Sequence, residues 1–101
     1  MIRIRDRSGK VHDIDEATTA KFIDRLEQSA RFELNAETGE RLPASPGAHA
    51  AALLREAVHS REVVEFELDQ LDAVRLVITA WAEEAAEGEE ELPRSIAELK
   101  L

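Results

Sequence analysis

Three histidines, His12, His49 and His59, are the side chains of this sequence best suited to bind a metal ion or transfer a proton. His49 and His59 fall ten residues apart in one predicted helix, which separates them by roughly 15 Å along its axis, too far for a shared ion. Glu56 and His59 have the spacing used in carboxylate-bridged metal bundles, but such sites need a second pair and further glutamates. A predicted hairpin places His12 beside Asp6, which we interpret as a surface ion pair. We therefore expect no metal and no cofactor.

Nucleophilic catalysis needs a nucleophile beside a base and a group that orients the base. The chain has no cysteine, so thiolate chemistry and disulfide bonds are excluded. Four scattered glycines do not form a phosphate-binding loop. The serines fall in predicted turns, helix ends and caps, with none in a nucleophile elbow; they are Ser8, Ser29, Ser45, Ser60 and Ser95. We expect a protein that is not an enzyme.

Charge is spread unevenly along the chain. Residues 1–14 carry four basic side chains against two acidic ones, although the whole chain has a net charge of −9. The four basic residues, which could contact phosphate, are Arg3, Arg5, Arg7 and Lys10. The rest of the chain repels phosphate, and no exposed aromatic residues interleave for base stacking. We therefore do not expect nucleic-acid binding, and interpret these residues as solubilising an edge hairpin and pairing with Asp13.

The acidic residues predict a protein partner of opposite charge. One group lies along a predicted strand near residues 64–68, and another lies near the end of the last long helix. If the strand and helix ends are close together, the two groups form one negative surface that steers a basic protein toward it. The same excess is also typical of a soluble acidic protein with no special partner. The candidate partner-binding residues are Glu62, Glu65, Glu67, Glu83, Glu84 and Glu87.

The pattern of apolar residues predicts an α+β fold. Ile2 and Ile4 alternate with arginines, and a three-residue turn ending at Gly9 pairs Ile2 with Ile14 in a hairpin of strands 2–6 and 10–14. Helices are predicted at about 16–30, 46–60 and 70–87, and short strands near 31–35 and 64–68, with a further return strand stopped by proline. We expect a small, mainly antiparallel sheet, made of the hairpin and one or two further strands, packed against three helices and a short C-terminal helix.

Polar residues mark the predicted helix ends. Asp15 and Ser45, the latter followed by proline, are predicted N-caps. Asp69 is predicted to cap the third helix, with Asp72 in a position similar to a capping box. Gly88 is predicted to end that helix. Residues 1–88 are therefore expected to form one α+β domain, followed by an acidic hinge and a short amphipathic helix in residues 89–101.

Two apolar features indicate association. One residue lies nearly opposite the buried stripe of the third helix, and the C-terminal segment either folds onto its own core or docks in a groove of a second subunit or another protein. The candidate interface residues are Leu76, Leu92, Ile96 and Leu99.

The function predicted from these observations is binding rather than catalysis. We expect a small acidic protein that engages a basic protein, as an inhibitor, immunity protein or antitoxin does. The alternative is a homodimer or other homo-oligomeric structural or accessory domain. No segment is apolar and long enough to span a bilayer or to act as a signal peptide, so a cytoplasmic location and no membrane partner are expected.

Overall fold

The α+β fold predicted from the sequence is confirmed by the computed structural model, which describes residues 1–101. No helix is both long enough and apolar enough to cross a membrane. In chain order the elements are β1 (Ile2–Arg5), β2 (Val11–Ile14), α1 (Glu16–Gln28), β3 (Phe32–Leu34), β4 (Arg41–Pro43), α2 (Pro46–Ser60), β5 (Val63–Val64), α3 (Leu68–Glu87) and α4 (Arg94–Ala97).

The N-terminal hairpin has the predicted register. Ile2 lies opposite Ile14, and Arg3 lies opposite Asp13. The turn between the strands ends at Gly9, whose φ of +90° is a conformation that glycine adopts without steric cost. The three-residue turn therefore sets which side chains of β1 and β2 face the core.

The main sheet has the order β2-β1-β5 and is mixed. β5 pairs in parallel with β1 through Arg3–Val63 and Ile4–Val64, so only the β1–β2 pair is antiparallel. β3 and β4 form a separate two-stranded antiparallel sheet rather than extending the first one. α2 packs against β1 and β5, α4 packs against β2, and α3 packs against α1 and α2. The apolar residues of the main sheet join those of the helices in one core.

The strand predicted near residues 64–68 is much shorter than the alternation suggested. β1 ends at Arg5, so the chain has no strand to pair with beyond β5, and α3 begins at Leu68. Glu67, and not Asp69, is therefore the N-cap residue. Its backbone N–H donates to the side-chain oxygen of Gln70 at 2.8 Å. The prediction that Asp69 caps this helix is wrong because the helix starts two residues earlier than periodicity indicated.

The C-terminal segment folds onto the core of its own chain. Ile96 of α4 is 1% exposed, and Leu92, Leu99 and Leu101 pack partly buried around the same core. The chain reaches α4 through a sharp reversal at Glu89, which has a positive φ of 56°. Ile96 is therefore not exposed to a second subunit, because it is buried in the core of its own chain, where its apolar surface is removed from water.

Candidate functional site

The structure brings Asp6 and His12 together, but inside the protein. Atom Nε2 of His12 lies 2.6 Å from Oδ2 of Asp6, and the two side chains are 4% and 1% exposed. The interpretation as a surface ion pair is wrong because both residues share the inward face of the hairpin. Asp6 follows Ile4 by two residues and His12 precedes Ile14 by two, so each lies on the same buried face of the hairpin as its isoleucine. The alternation of side chains between the two faces of a strand could have predicted this placement from the sequence.

Asp6 accepts a full set of hydrogen bonds. Its Oδ1 accepts from the hydroxyl of Ser8 at 2.5 Å and from the backbone N–H groups of Ser8 and Lys10 at 2.9 and 3.2 Å. Its Oδ2 accepts from the backbone N–H of Lys100 at 3.3 Å. The hydrogen bond from the Ser8 hydroxyl, helped by those from His12, Lys100 and the Ser8 N–H, holds the pKa of Asp6 far below its ordinary value despite the opposing effect of burial.

This cluster connects distant parts of the fold, and it does not place Ser8 beside His12 as a nucleophile beside its base. A serine nucleophile must contact the base that takes its proton. Here the carboxylate of Asp6 lies between Ser8 and His12, so both side chains bond to the acid and not to each other. The same carboxylate and the bond from Arg7 N–H to the Lys100 carbonyl, 2.9 Å, tie the C-terminal tail to the hairpin turn.

The other histidines remain apart. His49 lies near the start of α2, and His59 lies in its last turn. No group of three histidine, aspartate or glutamate side chains in residues 1–101 is arranged to hold a metal ion.

The basic residues of β1 are paired within the chain. Arg3 Nε lies 3.0 Å from Oδ1 of Asp13, and Arg5 Nε lies 2.8 Å from Oε1 of Glu65. These pairs lie on the exposed face of the main sheet, opposite the core. The positive charge of these two residues is therefore balanced locally, as we interpreted for Arg3 and Asp13.

The six candidate partner-binding glutamates form two groups, one at each end of α3. Glu62, Glu65 and Glu67 flank β5 and precede the helix, and Glu83, Glu84 and Glu87 lie in its last turns. Glu67 and Glu83 are separated by roughly 24 Å along the helix axis. The strand leads into the start of α3 and not to its end, so the condition for one contiguous negative surface is not met.

Two of these six glutamates form ion pairs within the chain. Glu65 pairs with Arg5, and Oε2 of Glu84 lies 2.5 Å from an Nη of Arg25. Glu83 and Glu87 are exposed and make no ion pair. They are followed by three further glutamates at residues 89–91. The unpaired negative charge is therefore concentrated at the C-terminal end of α3.

One side of α3 carries small and apolar residues in its first half and glutamates in its second half. Ala73, Leu76, Ala80, Glu83 and Glu87 recur at spacings of three and four residues, which places them on one side of a helix. Leu76 is 72% exposed, as expected from its position off the buried stripe. We name these five residues the α3 stripe.

The apolar half of the α3 stripe borders a groove of about 390 Å³. Its walls are the C-terminal end of α1, the start of α2 and the face of α3 that carries Leu76. Arg25 also lines the groove, where it pairs with Glu84 and places its guanidinium 5.0 Å from the centroid of the Trp81 ring. Sequence reasoning singled out Leu76 but missed the groove, because two distant segments supply its other walls.

Comparisons with known proteins do not extend this description. No protein-family model, curated protein or solved structure matches the chain. The function therefore has to be inferred from the chemistry of the surface, of which the α3 stripe and its groove are the most distinctive part.

Proposed function

We propose that this protein is a small acidic binding protein that engages a basic protein partner through the α3 stripe, acting by occlusion as an inhibitor, immunity protein or antitoxin does. The observation that carries the proposal is the combination on one helix face of an exposed apolar anchor, Leu76, with unpaired carboxylates at Glu83 and Glu87. An apolar anchor beside complementary charge is a common arrangement in protein recognition.

The position of the carboxylates supports a binding role because it is unfavourable for the helix itself. The C-terminal end of a helix carries partial negative charge, and acidic side chains there are destabilising. The last turn of α3 nevertheless contains no basic residue. Local rules that are broken without compensation inside the fold are expected at functional sites. A basic partner would supply the missing compensation and would be attracted at long range.

The charge pattern also favours a basic partner over a second copy of this chain. An antiparallel pairing of two α3 helices centred on Leu76 would place Glu83 opposite Asp69. A parallel pairing would place each glutamate opposite itself. Both arrangements bring like charges together, which costs free energy. The alternative of a homo-oligomeric accessory domain therefore needs an interface away from the α3 stripe.

The proposal is tested by affinity capture with matched charge variants. The double variant Glu83→Lys/Glu87→Lys reverses the charge of the α3 stripe. The control, Glu37→Lys/Glu40→Lys, makes the same net change in the exposed turn between β3 and β4. We expect the wild-type protein and the control to retain a basic protein that elutes as salt is raised, and the α3 variant to retain less than about one tenth as much.

A different result would contradict the proposal. Capture that is insensitive to salt, or equal loss in both double variants, would remove the specific role of Glu83 and Glu87. The alternative is checked by the mass of the purified protein in solution. A stable multiple of the 11.3 kDa chain mass that persists in Leu76→Asp would favour an oligomer with its interface elsewhere.

A further inference from the structure

We propose that the groove beside Leu76 receives a helical segment of the basic partner, and that this segment carries lysine or arginine seven and eleven residues away from an apolar anchor. The inference rests on the proposed function and specifies the partner's chemistry and spacing. It follows from three properties of the groove: the elements that form its walls, its length, and the distance from Leu76 to the free carboxylates.

The walls of the groove favour a helix over an extended segment. All three walls are helical, formed by α1, α2 and α3, and the free strand edges of both sheets belong to other elements. Backbone groups in the middle of α3 are already hydrogen-bonded, so an extended peptide lying along this wall would find few partners for its own N–H and C=O groups. A helix satisfies these groups internally and needs to supply only side chains, as in other helix-in-groove complexes.

The size of the groove fits a short helix. The α3 wall runs from Ala73 to Glu84, which corresponds to roughly 17 Å, or three turns. A volume of about 390 Å³ accommodates a few apolar side chains and excludes a larger folded unit. Ala80, which is exposed on the α3 wall, has a small side chain that leaves room for a partner backbone to approach α3 closely.

The positions of the free carboxylates set the spacing of the partner's cations. Glu83 and Glu87 follow Leu76 by seven and eleven residues, which corresponds to roughly 11 and 17 Å along the helix. A partner helix lying along α3 has the same rise, so cations facing these carboxylates lie seven and eleven positions from the residue that contacts Leu76. These intervals also keep anchor and cations on one face of the partner helix. Glu84 is a weaker recognition point because it already pairs with Arg25.

Selection from a display library of 20-residue random peptides tests the inference. Peptides are selected on the wild-type protein and counter-selected on Leu76→Asp, which should leave the fold intact because Leu76 is exposed. We expect the enriched peptides to be helix-forming and to carry an apolar residue with lysine or arginine seven and eleven positions away. Basic residues C-terminal to the anchor would indicate a parallel partner helix, and N-terminal ones an antiparallel helix. Either order supports the inference.

Fluorescence titration of enriched peptides gives a quantitative check. Trp81 is the single tryptophan, the chain has no tyrosine, and Arg25 links the Trp81 ring to the groove. A tryptophan-free peptide that enters the groove should therefore change Trp81 emission. We expect Leu76→Asp to weaken binding at least tenfold. The matched control Leu68→Asp, on the same helix and 76% exposed, should leave the dissociation constant within twofold.

The outcomes separate this inference from the proposed function. Enriched peptides that contain helix-breaking residues or lack the spacing would overturn the helical occupant. So would an absence of enrichment, or peptides that bind Leu76→Asp as tightly as the wild type. If the Glu83→Lys/Glu87→Lys protein still loses the basic partner in capture, the proposed function stands without the helix. If that variant still captures the basic partner normally, both the proposed function and the helical occupant are contradicted.

Discussion

The N-terminal hairpin and the C-terminal end of α3 both carry closely spaced charged residues, yet the fold uses them in opposite ways. In the hairpin, Arg3 pairs with Asp13 on the surface, and Asp6 pairs with His12 in the interior. At the end of α3, Glu83 and Glu87 face solvent without a cation. These four hairpin residues are paired within the chain, whereas Glu83 and Glu87 remain available to another molecule.

The backbone shows the same contrast. The left-handed position of the hairpin turn is occupied by Gly9, which adopts it without strain. The left-handed position after α3 is occupied by Glu89, with glycine one residue earlier at Gly88. Local sequence preferences are thus satisfied in the hairpin and broken at the end of α3. We infer that the hairpin contributes mainly to stability, and we propose that binding takes place at the end of α3.

The largest effect is expected from Asp6→Asn. The amide cannot accept from all the donors that surround the carboxylate, so the backbone N–H of Lys100 or the ring of His12 loses its partner. We expect the Tm to fall by about 10 °C, because an unsatisfied buried group costs far more than a lost surface contact. The matched control Asp13→Asn, which removes an exposed pair with Arg3, should lower the Tm by no more than about 4 °C. The Tm values are measured by thermal melts followed by circular dichroism. Equal decreases in the two variants would contradict the distinction between the buried and the exposed pair.

Acid should reduce the difference in stability between the protein with Asp6 and the Asp6→Asn variant. The folded protein holds the pKa of Asp6 below its ordinary value of 3.8, so the fold prefers the ionised form. The resulting stability is complete well above pH 4 and is lost as the pH falls through the range below it. We expect the difference in unfolding free energy between wild type and Asp6→Asn to shrink from pH 6 to pH 3 in urea titrations. The comparison is made in a His12→Gln background, because His12 contacts Asp6 and would lose a charged partner only in the variant. A difference that grows with acidification would contradict the assignment.

Glu89→Gly should stabilise the protein by about 0.5–1 kcal/mol, because glycine adopts the left-handed conformation more easily than glutamate. The neighbouring Glu90→Gly removes the same charge at a position whose φ is negative. It should therefore give no gain. Chemical denaturation of the two variants separates backbone strain from charge, since an equal gain in both would indicate a charge effect alone.

The smallest effect is expected from neutralising the free carboxylates. Glu83→Gln/Glu87→Gln should raise the unfolding free energy by about 0.3–1 kcal/mol at low salt, and the gain should fade as salt screens the helix dipole. Glu16→Gln, in the first turn of α1, should shift stability in the opposite direction. A loss of stability in the α3 variant would mean that these glutamates support the fold.

Local patterns were sufficient to predict several elements of the fold. The hairpin register followed from pairing Ile2 with Ile14 and Arg3 with Asp13, and the structure has that register. Asp15 caps α1 by accepting from the backbone N–H of Thr18 at 2.7 Å. These features depend on residues close in sequence, so short-range chemistry decides them.

Other features depended on what the rest of the fold provided. The alternation after Val64 predicted a longer strand, but β1 is too short to pair with it, so the chain enters α3 early. The segment after Gly88 could have folded in cis or in trans, and the available core surface under Ile96 decided the first. The length of a partner strand and the presence of open core surface cannot be predicted from the sequence of the segment that depends on them.

The α+β class, the hairpin, the helix faces and the exposure of Leu76 were all predictable from local sequence, because hydrophobic periodicity and turn chemistry act over a few residues. Three features became visible only in the folded protein: Asp6 and His12 are buried together, the acidic residues divide between the two ends of α3, and Leu76 borders a groove. These features depend on which distant segments pack together, and the packing of a shared core is set by the whole chain.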